Sequence, residues 1–401
     1  MRLLFSSTPG DGHVLPMLPL ARALTARGHD VSFATSAEHE QQIQDAGFGW
    51  FAAGVNNAEL SARFVAHYAD LPPLTSPEYF PYIVARRYGL GDAPDRLADL
   101  QGLSAQWRPQ AVVFESTDFA APVFAALLDV PAIHHSFGRA LPEACYERSV
   151  PYVGPLWQQA GVDMPALAGM YAQGFIDICP ASLQGDLPVG ATVLPLRPAS
   201  ATEPGEQQAL WPKGLPNRPG VYVTLGTVFN SIKSLRLLLD AVSTVECNVI
   251  MTVGRDKDPE DLGPLPPHVV VERFIPQESV LPYVDAAVVH AGSGSMLAAL
   301  AQGVPMLMLP RAADQYENAR ACAATGAAHV LLPDQCDVAS IAAGIQAVLF
   351  EPAFRAGAAA MREEIASMPG PDAVAAVVEE TLSTSHEQRR PGADGDRSAG
   401  H

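Results

Sequence analysis

Apolar residues along this chain fall into two kinds of segment that alternate: short unbroken runs, and longer stretches with helical spacing. The runs at residues 3–6, 31–34, 111–114 and 132–134 are too short for helices and read as strands. Between the first two, apolar residues at 15, 17, 18, 20, 21 and 24 recur at helical spacing and Gly28 supplies a stop, which predicts a helix over 15–27. Strand, helix and strand in that order imply a parallel sheet. Between roughly Pro188 and Pro219, prolines and glycines cluster without apolar periodicity, the composition of a linker. A second series then opens, with strand candidates at 221–225, 249–253, 269–271, 286–289 and 306–309 and helices at 235–242 and 296–301. Helices near 340–349 and over 371–382 close it, and the residues beyond are polar and charged. The pattern predicts an α/β protein of two doubly wound parallel-sheet, Rossmann-like domains facing a cleft. We place the N-terminal domain at 1–195, a linker at 196–219, the second domain at 220–370, a C-terminal helix at 371–383 that returns toward the first domain, and a disordered tail at 384–401.

Composition narrows the class. The 401 residues exceed one ordinary core, and 48% hydrophobic with 17% charged residues is a globular balance. No apolar run approaches the ~20 residues needed to cross a bilayer, so no membrane association is expected. The run after Met1-Arg2 is too short for a signal peptide, and a cytoplasmic protein is expected. The five cysteines are scattered without metal-like or CxxC spacing and read as free thiols. A net charge of −18 without a basic stripe argues against a nucleic-acid partner.

Candidate chemistry sits where strands turn into helices. His290-Ala291-Gly292-Ser293-Gly294-Ser295 joins the strand at 286–289 to the helix at 296–301. Small residues let a ligand approach the backbone, and the free amides of a helix's first turn, with their partial positive charge, suit a phosphate. His290 adds a side-chain donor, and the Thr227 hydroxyl is a further candidate phosphate contact. The matching turn near the N-terminus, Gly10-Asp11-Gly12-His13, is not a dinucleotide fingerprint: Leu15 stands at the third glycine position, and Ala34-Thr35-Ser36 stands where a ribose-binding acid belongs. His13 instead reads as a proton acceptor at the carboxyl edge of a sheet, kept neutral by the helix N-terminus. Glu115, or Asp118 three residues on, could orient it, with a helix cap as the plainer role for Asp118. Asp314-Gln315 could grip sugar hydroxyls or cap the helix that follows. Asp256-Lys257-Asp258 reads as a solvated loop, and adjacent His134 and His135 point to opposite faces of a strand, so no metal site is expected.

With those residues in view, the chain resembles the GT-B-fold glycosyltransferases of actinomycete natural products, which decorate macrolides, enediynes and aromatic polyketides. Gly12-His13-Val14-Leu15-Pro16 is similar to the family's catalytic-base motif, and Glu115 stands where the family keeps its dyad acid, usually Asp. The resemblance implies that His290 to Ser295 hold the donor diphosphate, that Arg273, Phe274 and Ile275 bind the base, and that Asp314 and Gln315 bind the sugar. Many relatives carry Trp where Phe274 stands. Uridine-specific relatives often place Glu eight residues after the loop histidine, where this chain has Ala298. A thymidine diphosphate (deoxy)sugar is therefore the expected donor, with no cofactor and no metal. Aromatic residues concentrated in the first half, Tyr79, Phe80 and Phe137 among them, imply an apolar acceptor pocket. The expected reaction is inverting transfer to an aglycone hydroxyl. A uridine diphosphate hexose enzyme, a sugar-nucleotide epimerase and a non-catalytic helper of a partner transferase are the alternatives. Monomer or homodimer is left open.

Overall fold

The computed structural model describes residues 1–74, 76, 78–199, 219–226, 231–255 and 257–388. Thr227, Asp256, most of the expected linker and residues 389–401 lie outside the described residues.

The first half builds a sheet from β1 (Arg2–Ser6), β2 (Asp30–Thr35), β3 (Gly49–Ala52), β4 (Ala111–Glu115), β5 (Ala132–His135), β6 (Phe175–Asp177) and β7 (Val193–Pro195), ordered β3-β2-β1-β4-β5-β6-β7. The second half builds another from β8 (Gly220–Thr224), β9 (Asn248–Thr252), β10 (Val269–Glu272), β11 (Ala286–Val289), β12 (Met306–Met308) and β13 (Ala328–Val330), ordered β10-β9-β8-β11-β12-β13. Every pairing is parallel. Helices cover both faces, so the central strands are apolar without alternation: Leu3, Leu4 and Phe5, like Ala286, Ala287 and Val288, are fully buried. In each sheet the chain reverses winding direction between two neighbouring strands, β1 and β4 in the first and β8 and β11 in the second. A crevice opens beyond the carboxyl ends of strands at such a switch point. His13 follows β1, Glu115 ends β4, Gly226 follows β8 and His290 follows β11, so the candidate residues flank these two crevices.

Several boundaries differ from the sequence pattern, each for a local reason. The helix expected over 15–27 starts earlier and is broken into a turn at Asp11–Val14, a 3-10 turn at Leu15–Met17 and an α-helix at Leu18–Ala26. Pro16 and Pro19 lack the amide hydrogens that would carry the α-helical ladder through. The helix expected at 296–301 begins at Ser293 and runs as Ser293–Gln302, so half of the presumed loop is its first turn. The last helix, Pro371–Gln388, continues past residue 383 into the stretch expected to be a disordered tail. It lies against the helix Leu18–Ala26 of the first half, and Arg27 Nε donates to Glu379 at 2.8 Å.

Candidate active site

The β1 strand ends at Ser6, and Gly10, with φ of 127°, turns the chain into the helical turn that carries His13. That conformation suits glycine alone among ordinary residues. The His13 ring presents Nδ1 to Glu115 Oε2 at 3.2 Å, and its side chain keeps 16% exposure while Glu115 is fully buried. Glu115 is gripped from several sides. Thr8 donates from its amide at 3.0 Å and its hydroxyl at 2.5 Å, and Thr117 from its amide at 2.8 Å and its hydroxyl at 2.7 Å. Burial alone would raise the Glu115 pKa, but the His13 charge and the hydrogen bonds from His13, Thr8 and Thr117 outweigh it and hold the carboxyl at about 2. An ionised acceptor therefore faces Nδ1, which fixes the tautomer with the proton on Nδ1 and a lone pair on Nε2.

Asp118 turns elsewhere. Its carboxylate accepts from the Ser6 hydroxyl at 2.6 Å and from the amides of Ala120 and Ala121 at 3.1 and 3.0 Å. It caps the helix Ala120–Leu128 and lies 3.9 Å from the buried guanidinium of Arg96. Of the two acids, Glu115 is the one at His13.

Across the cleft, Ala291 takes a left-handed φ of 64° and Gly292 caps the helix Ser293–Gln302, leaving the first-turn amides of Ser293, Gly294 and Ser295 without intrahelical partners. The His290 ring is wedged between two glycines. A Cβ at Gly226 would come within 2.6 Å of its Cε1 and one at Gly292 within 2.5 Å of its Nε2. Burial pushes the His290 pKa down to about 4, so the ring is neutral at pH 7. Asp314 accepts from the Ser293 hydroxyl at 2.9 Å and from Asn318 Nδ2 at 2.8 Å, while Asn318 also donates to the Ala291 carbonyl at 3.0 Å. Burial raises the Asp314 pKa against the Ser293 and Asn318 bonds, and the His13 charge acts on it from the other half. Gln315 is buried, with its amide oxygen accepting from the backbone of Arg311 and Ala312. Within the expected sugar-binding pair, the Gln315 oxygen thus holds its own loop.

In the expected base-binding segment, Ile275 is core and Arg273 is tied to Asp258 at 2.6 Å. Phe274 keeps 45% exposure, with the Arg255 guanidinium 3.6 Å above its ring. Gln277 donates to the Ser295 hydroxyl at 2.7 Å, joining this segment to the helix of the phosphate loop. Phe137 lies 4.7 Å from the His13 ring, centroid to centroid. The next residue, Gly138, comes so close to the other half that a Cβ there would sit 2.2 Å from Ser293 Oγ. Tyr79 and Phe80 begin the helix Tyr79–Val84, both half-buried. His134 and His135 are fully buried, and among the described residues no group of His, Cys, Asp and Glu side chains is arranged to hold a metal. The sequence reading missed Thr8, Thr117 and Asn318. Only Thr8 and Thr117 carried a signal, as hydroxyls within a few residues of His13 and Glu115.

Comparison with known proteins identifies the family. The family described as erythromycin biosynthesis protein CIII-like matches through its N-terminal domain over residues 82–226 and its C-terminal domain over 236–381. L-demethylnoviosyl transferase of Streptomyces niveus is 33% identical over 409 residues, covering 98% of this chain and 100% of that protein. Elloramycin glycosyltransferase ElmGT of Streptomyces olivaceus is 32% identical, covering 94% of this chain and 96% of its own length. The glycosyltransferase VinC, solved in complex with dTDP, has the same fold, with a TM-score of 0.78 and 23% identity over 97% of this chain and 100% of VinC. No helix among the described residues is long and apolar enough to cross a membrane. The chain belongs to the erythromycin biosynthesis protein CIII-like family and is a GT-B-fold glycosyltransferase of antibiotic biosynthesis.

Proposed function

We propose that the enzyme moves a sugar, in particular a deoxysugar, from a thymidine diphosphate donor to a hydroxyl of an apolar natural-product aglycone, with inversion and without a metal or cofactor. The observation that carries this reading is the His13–Glu115 pair, 3.2 Å apart, whose charge also acts on Asp314 of the half that bears the anion-binding helix turn. His13 Nε2 takes the proton of the acceptor hydroxyl as that oxygen attacks the anomeric carbon. The bond from carbon to the diphosphate oxygen breaks, and its electron pair leaves with the diphosphate. Glu115 stabilises the imidazolium that forms. The growing charge on the diphosphate meets the first-turn amides at Ser293 to Ser295 and a neutral His290 donor, with Thr227 proposed beside them. Fixed donors of this kind can contribute ~3 kcal/mol each to the transition state, the role a divalent ion plays elsewhere. Asp314 binds sugar hydroxyls, and Phe274 stacks on the base within the Arg273 to Ile275 segment. Tyr79, Phe80 and Phe137 line the acceptor side.

The thymidine preference rests on Ala298. Three residues after Ser295, it shares the helix face that Gln277 touches, so its side chain is directed toward the base-binding segment. A glutamate there could accept from both ribose hydroxyls, and a 2′-deoxyribose has one fewer to offer, so alanine forgoes less with a thymidine nucleotide. VinC, a protein of the same fold, binds dTDP, which is consistent with this choice. Calorimetric titration is expected to give tighter binding of dTDP than of UDP by ~10-fold, about 1.4 kcal/mol. Ala298→Glu should narrow or reverse that ratio. Equal affinities in the parent and no change in the variant would transfer the assignment to a uridine diphosphate hexose, and binding of neither nucleotide would favour a helper protein.

A second titration tests the phosphate loop. The φ of Gly292 is −65°, which alanine adopts without strain, so the obstacle to Gly292→Ala is the contact with the His290 ring. The variant is expected to bind dTDP weaker by roughly tenfold or more, about 1.4 kcal/mol, with its melting temperature little changed. Parent-like affinity would remove His290 from the diphosphate site.

A further inference from the structure

The free nitrogen of the base has a neighbour. The Tyr88 hydroxyl lies 3.5 Å from His13 Nε2, and the two rings are 5.7 Å apart. Tyr88 is carried by a turn of π-helix, Ala85–Leu90, between the helices Tyr79–Val84 and Ala93–Ser104. Such wide turns cost hydrogen-bond geometry and recur at functional sites. The next residue back, Arg87, is pinned to the Asn57 side chain at 2.6 Å and the Ser61 hydroxyl at 3.2 Å, and its guanidinium lies 5.7 Å from the Tyr88 ring centre. The Tyr88 phenol also feels the charges of Glu115 and, from the other half of the molecule, Asp314. Its hydroxyl thus stands at Nε2, the nitrogen to which an attacking hydroxyl must donate.

We propose that Tyr88 is a gate on His13: in the resting enzyme its hydroxyl fills the position of the acceptor oxygen at Nε2, keeps water from that position, and yields it when an acceptor hydroxyl arrives. The inference rests on the reading of His13 as the base. A glycosyltransferase faces a particular hazard, because a water molecule at Nε2 would be deprotonated and attack the anomeric carbon just as an acceptor does. The products would be free sugar and nucleoside diphosphate. A tyrosine hydroxyl can donate to Nε2 in place of that water. Burial pushes the Tyr88 pKa up, so the phenol remains a donor at pH 7. Tyr88 is thus a positioning residue that selects the nucleophile.

The test reads the cover directly. Diethyl pyrocarbonate modifies an accessible neutral imidazole nitrogen, and the rate at the His13 peptide can be followed by mass spectrometry in the full chain. Tyr88→Ala is expected to raise that rate by roughly fivefold or more, in line with an exposed imidazole regaining ordinary reactivity. Tyr88→Phe, which keeps the ring, should fall between it and the parent. Unchanged rates in both variants would overturn the gate. In parallel, acceptor-free release of dTDP from dTDP-glucose should rise in Tyr88→Ala and fall back when His13→Ala is added. Faster modification of His13 together with hydrolysis that His13→Ala leaves untouched would keep the gate and overturn the assignment of the base.

Discussion

Replacing His13 with alanine is expected to lower turnover with an alcohol acceptor by roughly a hundredfold or more, while the affinity for dTDP stays near that of the parent. General-base catalysis by a positioned side chain is typically worth 10²–10⁴-fold, and a hundredfold corresponds to about 2.7 kcal/mol. The split between kcat and nucleotide affinity follows from where the ring sits. His13 is bound to Glu115 of its own half, whereas the amides of Ser293 to Ser295 belong to the other. Glu115→Gln is the companion variant. A glutamine oxygen can still accept from Thr8 and Thr117, but its amide nitrogen cannot accept the Nδ1 proton, so the tautomer that leaves Nε2 free is no longer enforced. Turnover should fall by at least ~10-fold without loss of fold. A more acidic phenol as acceptor should shrink the His13→Ala deficit, because part of its oxygen is already ionised at pH 7. Near-parent turnover of His13→Ala with an alcohol would remove His13 from the reaction.

The alternating pattern of apolar runs was enough to read the central strands of both sheets, because strands buried on both faces carry unbroken hydrophobic runs. It failed at the edges. β3 is half-exposed, β7 lies in the proline-rich stretch that begins near Pro188, just ahead of the linker placed at 196–219, and β6 and β13 are only three residues long. The helix Glu143–Ala160 holds Pro151 and Pro155, the residues by which a sequence reading rejects a helix. At the site, glycines and histidines at strand-to-helix turns were legible since the chemistry requires those residue types next to backbone amides. The support around them was not. Thr8 and Thr117 reach Glu115 from two separate loops, and Asn318 reaches back from a helix to hold both Ala291 and Asp314. Hydroxyl and amide side chains are common everywhere in a sequence. Which of them converge is set by the sheet order, and only the fold brings β1 beside β4.

That same adjacency places a buried charge network behind the base, and it carries the largest expected effect on stability. Arg96 is fully buried. Its Nε donates to Asp92 at 2.6 Å and its Nη1 stands 3.9 Å from Asp118, which in turn holds Ser6 at the end of β1. Asp92 also accepts from the Val55 amide at 3.2 Å, tying in the loop after β3. Gly54 makes room for this, since its φ is +71° and a Cβ there would sit 2.6 Å from Arg96 Nη2. Arg96→Leu keeps much of the volume but strands two carboxylates in the interior, a change that typically costs about 3–5 kcal/mol. Two domains need not unfold together, so the relevant readout is the denaturant midpoint followed through Trp50, Trp107 and Trp157, which all lie in the first half. The pH dependence has a definite sign. Burial holds the Asp118 pKa up at about 6, against Arg96 and Ser6, which draw it down. A folded pKa above the ordinary value means that protonation favours the fold, a contribution present at low pH and lost as pH rises through about 6. Without Arg96 that pKa rises further, so the deficit of the variant should be greatest near pH 8 and narrow toward pH 5.5. Adding Asp118→Asn, whose one oxygen can still accept from the Ala120 and Ala121 amides and which removes the charge, should recover part of the loss at pH 8 and little at pH 5.5. A deficit that is flat with pH and indifferent to Asp118→Asn would mean that Arg96 acts by packing alone.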